Sequence, residues 1–128
     1  MTIKVGDRIP EGKFRVMTAE GPGWKSTDEV FKGKGVDNVA VTAVNDVFVM
    51  TEWKKASGAD GKIEFLADGN GDFAKALDLT MDGSAGGLGL RSRRYSMLVE
   101  DGVVKKLNVE EAPGKAETSS AETLLKQL

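Results

Sequence analysis

The sequence predicts an α/β sandwich built on a mixed sheet, and three stretches carry that prediction. Residues 39–56 read as a short strand running directly into a helix, the unit from which parallel pairing is built. Residues 95–109 read as a β-hairpin with Asp101 and Gly102 at a tight turn. Residues 119–128 open with a capping box, Ser119 to Glu122, and set Ala121, Leu124, Leu125 and Leu128 on one helical face to be laid on the sheet. A chain of 128 residues is one domain by size and can bury a sound core.

In chain order, the alternation of polar and apolar residues from Lys13 to Met17 predicts a strand, and Glu20-Gly21-Pro22-Gly23 turns the chain. Residues 24–30 then return as the second strand of a hairpin, ending at the turn Lys32-Gly33-Lys34-Gly35. The run Val39-Ala40-Val41-Thr42-Ala43-Val44 is β-branched and small, as expected of a strand buried on both faces. Asn45 or Asp46 caps a helix over 47–56. Gly58 to Gly61 leads into a strand over 62–67, and a loop from Asp68 to Asp72 leads into a helix through Phe73, Ala76 and Leu77. The glycine-rich stretch 83–89 predicts a long flexible connection before the final hairpin.

Composition narrows the chemistry. With 40% apolar and 30% charged residues the chain has globular character, and a net charge of −2 is not the basic footprint of a nucleic-acid binder. Its apolar runs are far shorter than the ~20 residues that span a bilayer, and the first residues have no signal-peptide core, so a cytoplasmic location is the expectation. There is no Cys and no His. That removes thiolate nucleophiles, cysteine-ligated zinc and the commonest neutral-pH base. No cofactor and no metal is expected.

Two motifs give way to plainer readings. Asp68-x-Asn70-x-Asp72 resembles the opening of a calcium loop, which needs Gly at its sixth position and an acid at its twelfth. Phe73 and Leu79 stand there, so a loop that caps a helix is expected instead. Residues 83–89 match neither the P-loop nor the dinucleotide fingerprint.

Several long stretches together resemble the type-5, atypical branch of the peroxiredoxins. They are residues 1–10, residues 39–46 with their Val-Thr-Ala-Val-Asn-Asp core, Phe65-Leu66-Ala67-Asp68-Gly69-Asn70, and residues 94–104 from Arg94-Tyr95-Ser96-Met97 to Val104. The resemblance implies a thioredoxin-like sandwich and, for the parent, thiol-dependent reduction of hydrogen and alkyl peroxides. It also locates a departure. Family members carry, after the Lys-Gly-Lys turn, a central strand ending in a Pro-x-x-x-Thr-x-x-Cys loop and then a long helix. Here that segment, on the order of 30 residues and the size of one βα unit, is missing between Lys34 and Gly35. Arg94 matches the family's distant activating Arg, while Arg91 and Arg93 do not, which makes Arg94 a vestigial substrate-site residue.

The expectation that follows is an engineered internal deletion, a fold scaffold without chemistry of its own, not an enzyme and with no small-molecule substrate. Losing a central strand removes four or five large apolar side chains, on the order of 10 kcal/mol of burial. That compares with a whole-domain stability of about 5–15 kcal/mol. The shortened sheet is therefore expected to re-pair, strand 39–44 lying antiparallel against 95–100. A domain-swapped dimer, one chain's N-terminal hairpin filling the other's gap, is the rival. The helix 47–53 is apolar on more than one face, so Phe48, Met50 and Trp53 belong either to the core or to a homodimer or other interaction surface. An enzyme of another kind, using Arg94 with Asp or Tyr, is the weakest alternative, since no catalytic pair stands at a diagnostic spacing. No nucleic-acid or membrane partner is expected.

Overall fold

The computed structural model describes residues 2–31, 39–59, 61–111 and 117–128. The expected cut between Lys34 and Gly35 and the turn around it lie outside the described residues. Alternating sequence at the N-terminus becomes the hairpin β1 (Lys13–Thr18) and β2 (Gly21–Ser26), antiparallel with Lys13 opposite Ser26. The expected continuation of β2 to residue 30 does not form. Thr27–Phe31 is a short helix, α1, because Ser26 and Glu29 cap it reciprocally. The Glu29 backbone N–H donates to Ser26 Oγ at 3.2 Å, and the Ser26 N–H donates to Glu29 Oε1 at 3.3 Å. This is a capping box.

The βα unit forms as its sequence predicts. β3 (Ala40–Ala43) leads into α2 (Val47–Ala56), whose N-cap is Asp46, its carboxylate accepting from the Val49 N–H at 2.8 Å. β4 (Glu64–Ala67) pairs parallel with β3 on one side and antiparallel with β1 through Arg15 and Ala67 on the other. The result is a mixed four-stranded sheet in the order β2-β1-β4-β3. α3 (Asp72–Leu77) follows β4.

The glycine-rich stretch holds more structure than a flexible connection. β5 (Thr80–Asp82) and β6 (Leu90–Ser92) pair antiparallel around it. Gly83 is required at its base: a Cβ there would sit 2.8 Å from Leu88 Cβ and 3.1 Å from the Gly89 carbonyl oxygen. β7 (Tyr95–Glu100) and β8 (Val103–Val109) make the predicted hairpin. Asp101 and Gly102 both have positive φ, 49° and 75°, the backbone of a type I′ turn. α4 (Ala121–Lys126) closes the chain, capped by Ser120 rather than Ser119. Ser119 is taken up elsewhere: its N–H and Oγ both donate to Glu110 Oε1, at 2.7 and 3.0 Å. Those bonds hold the Glu110 carboxyl below the usual carboxylate range, the backbone N–H of Ser119 contributing most.

One expectation about the sheet fails. β3 and β7 do not pair; β7 and β8 form a separate two-stranded sheet. Both halves are pinned to one core in which Phe14, Leu66, Phe73, Leu77, Leu79 and Val104 are buried, with Tyr95 and Met97 packed against it. Bringing β7 against β3 would move β7 and β8 relative to that core and pull those side chains off it. α4 meets its expectation only in part: it packs against β7 with Leu124 half-buried, while Leu125 and Leu128 are 67% and 58% exposed.

Candidate functional site

The space between β3 and β7 is a groove of about 630 Å³. β3 forms one wall and β7 the other, while Phe14, Phe31, Leu66 and Phe73 line it from the core and Leu124 and Leu128 from α4. The aromatic lining is ordered by ring contacts. Phe14 meets Phe73 edge-on at 4.7 Å between centroids, and Phe31 stacks on Phe73 at 6.1 Å. Tyr95 also lines the groove, and burial pushes its phenol well above the ordinary range, with the nearby Asp68 charge adding to the effect.

The polar end of the groove is built by residues 91–94, just before β7. Their three arginines have different surroundings. Arg91 donates from Nε to the Leu88 carbonyl at 2.8 Å and from Nη1 to Val44 O and Asn45 Oδ1, both at 3.0 Å. It thereby ties the end of β3 to β6. Arg93 donates from Nη2 to the Glu110 carbonyl at 3.1 Å. Arg94 lines the groove exposed, and its side chain makes no hydrogen bond or ion pair among the described residues. So the arginine singled out from sequence is the one of the three whose side chain has no hydrogen bond or ion pair among the described residues; the bridging role of Arg91 has no sequence signal of its own, since it joins residues 46 and 47 apart.

Asp68 organises the neighbouring turn. Gly71 stands at the N-cap of α3 and offers no side chain, so Asp68 reaches over instead. Its two carboxylate oxygens accept the Phe73 and Ala74 N–H groups at 3.0 and 2.9 Å. The loop 68–72 is thus a helix cap, as its sequence predicts, and no group of three or more potential ligands among the described residues is placed to hold a metal.

The proposed interface residues separate. Phe48 and Trp53 are 63% and 46% exposed, and Trp53 packs edge-on against Phe65 at 5.2 Å. Met50 faces inward at 1% exposure, buried with Val47 and Ala67, and is corrected to a core residue. Val49, half exposed, takes its place on the outer face.

A mixed sheet covered by helices, with its polar end where β3 finishes and β7 begins, defines a thioredoxin-like α/β domain. The chain belongs to the redoxin family, whose pattern matches residues 16–125, and within it to the peroxiredoxins. It is 47% identical over 107 residues to the mitochondrial peroxiredoxin-2F of Arabidopsis thaliana, covering 84% of this chain and 53% of that protein. It is 42% identical over 109 residues to the hybrid peroxiredoxin hyPrx5 of Haemophilus influenzae, covering 84% of this chain and 45% of that one. The crystal structure of reduced Prx3 from Vibrio vulnificus in complex with H2O2 superposes with a TM-score of 0.91 at 37% identity, covering 98% of this chain and 99% of that one.

The chain spans about half the length of the curated peroxiredoxins of plants that it matches. These findings overturn the expectation that the chain is not an enzyme: its relatives are peroxiredoxins, which are peroxidases, so it is a member of an enzyme family. Membership rests on stretches that carry no nucleophile. No helix among the described residues is long and apolar enough to cross a membrane. Relatives are named as mitochondrial, chloroplastic and peroxisomal, which leaves the cytoplasm only one compartment among several.

Proposed function

We propose that this chain is a peroxide-reductase scaffold that keeps the anion-binding pole of the site, Arg94, while the thiol must come from a segment outside its 128 residues. An engineered internal deletion near residues 34 and 35, in a single cytoplasmic domain of residues 1–128, is the origin this reading assigns to the groove. The observation that carries it is the groove itself: about 630 Å³, flanked by β3 and β7, with Phe31 and Val39 on its lining at either side of the expected cut. Peroxide reduction by the family's route passes through a cysteine sulfenic acid, which no residue of this chain can form.

The test is to insert after Lys34 a cysteine-bearing βα segment of about 30 residues taken from the Arabidopsis relative, and to follow peroxide consumption with a thiol reductant. The restored chain is expected to turn over, and Arg94→Ala in it to lose about 10²-fold or more in rate, the scale for removing one preorganised charge-stabilising donor. A restored chain whose turnover is unchanged by Arg94→Ala would overturn the reading. So would a folded, restored chain with no turnover.

A second reading concerns association. Phe48, Val49 and Trp53 leave an apolar patch on α2 that fits a homodimer contact. Sedimentation velocity across a hundredfold concentration range is expected to show self-association that Phe48→Glu abolishes. A monomer throughout would remove it. The swapped alternative has less support, because β1 is already paired to β4 of its own chain.

A further inference from the structure

The two long walls of the groove are strand edges. β3 pairs with β4 on one side and β7 with β8 on one side, and among the described residues no strand pairs with the other side of either. Each free edge presents backbone N–H and C=O groups that an added strand would satisfy. A small ligand makes no use of two facing backbone edges; an extended peptide uses both.

Two further observations specify the occupant. Thr42 Oγ1, in the middle of β3, is buried without a hydrogen-bond partner and lies in the groove lining. The charge along the groove is also asymmetric. β3 ends beside Arg91, whose Nη1 donates to the Val44 carbonyl, and Arg94 lies in the same lining, whereas at the start of β3 the carboxylate of Glu64, opposite Ala40, is already ion-paired to Lys25 at 2.9 Å. Arg91 is committed to carbonyl oxygens, so Arg94 is the cation left for an incoming anion.

We propose that this groove is a strand-acceptor slot that binds, in trans, an extended apolar peptide running parallel to β3 and antiparallel to β7, with an anionic group at its C-terminal end against Arg94. At about 3.3 Å per residue, the four residues of β3 and six of β7 set the length at four to six residues. Alternate side chains enter the Phe73 layer and the layer under Leu124 and Leu128. The slot deepens the scaffold reading above, on which it rests, by naming the partner of the same groove.

The probe is an N-acetylated, C-terminally amidated peptide Lys-Lys-Val-Val-Ile-Phe-Val-Asp, which contains no cysteine and carries its one anion on the Asp side chain, titrated calorimetrically into the 128-residue chain. Expected are one-to-one binding, slowed amide exchange in both β3 and β7, and about tenfold or greater weakening when the central Ile is replaced by Pro, which removes a ladder donor. Arg94→Glu is expected to weaken the peptide ending in Asp and to spare the same peptide ending in Asn. Equal binding of the proline peptide, protection confined to one strand, or a second copy of the chain occupying the groove in solution would each overturn the slot. Because this readout involves no peroxide, failure of the slot and failure of the restored chain to turn over are separate results.

Discussion

Phe14→Ala is expected to lower unfolding stability by about 3–5 kcal/mol, the range for deleting a fully buried aromatic side chain. Phe14 is 0% exposed and holds Phe73 edge-on, so its removal takes away apolar burial and a ring contact together. The side chain also lines the groove, and the space left behind would join it rather than collapse. A loss of this size is a large share of the ~5–15 kcal/mol typical of a domain. Urea denaturation followed by tryptophan fluorescence measures it. A loss under about 1 kcal/mol would mean that the core around β1 and α3 is not packed as described.

Asp68→Ala is expected to cost about 2–6 kcal/mol, because it strips the acceptors from two buried backbone N–H groups at about 1–3 kcal/mol each. Nothing else at the start of α3 can replace them, since the N-cap is Gly71. Asp68→Asn keeps one oxygen and should lose less. Amide exchange at Phe73 and Ala74 gives a readout specific to the cap: it should accelerate in Asp68→Ala beyond the global loss of stability. Unchanged protection at those two amides would show that the carboxylate does not hold the helix end. Leu77, at the far end of α3, is fully buried in the main core, so loosening the cap reaches the packing around Phe14.

These two residues also mark how far sequence could be read. Asp68 was legible as part of a capping loop, because Asp, Asn and Gly in that spacing favour a helix start. Its reach across five and six residues was not, since it depends on where Gly71 turns the chain. α1 was missed although its signal was present: Ser26-Thr27-Asp28-Glu29 is a capping box, outweighed by reading residues 24–30 as the return strand of a hairpin. The pair β5 and β6 was hidden because glycine carries no periodic pattern. Arg94 was singled out by its place beside Tyr95-Ser96-Met97; the structural role of Arg91, whose contacts join distant segments, had no such signal.

By itself the sequence determined the local pieces and the family. The helix after Asp46, the type I′ turn at Asp101 and Gly102, and the absence of any thiol are properties of neighbouring residues or of composition. Only the tertiary structure decided whether the two halves of the sheet meet. That outcome is a competition between backbone pairing of β3 with β7 and the burial that holds each half to Leu66, Phe73, Leu77 and Val104. Burial acts through contacts far apart in the chain, which no local pattern records. It keeps β7 and β8 on the core, and leaves a groove where the two edges would have joined.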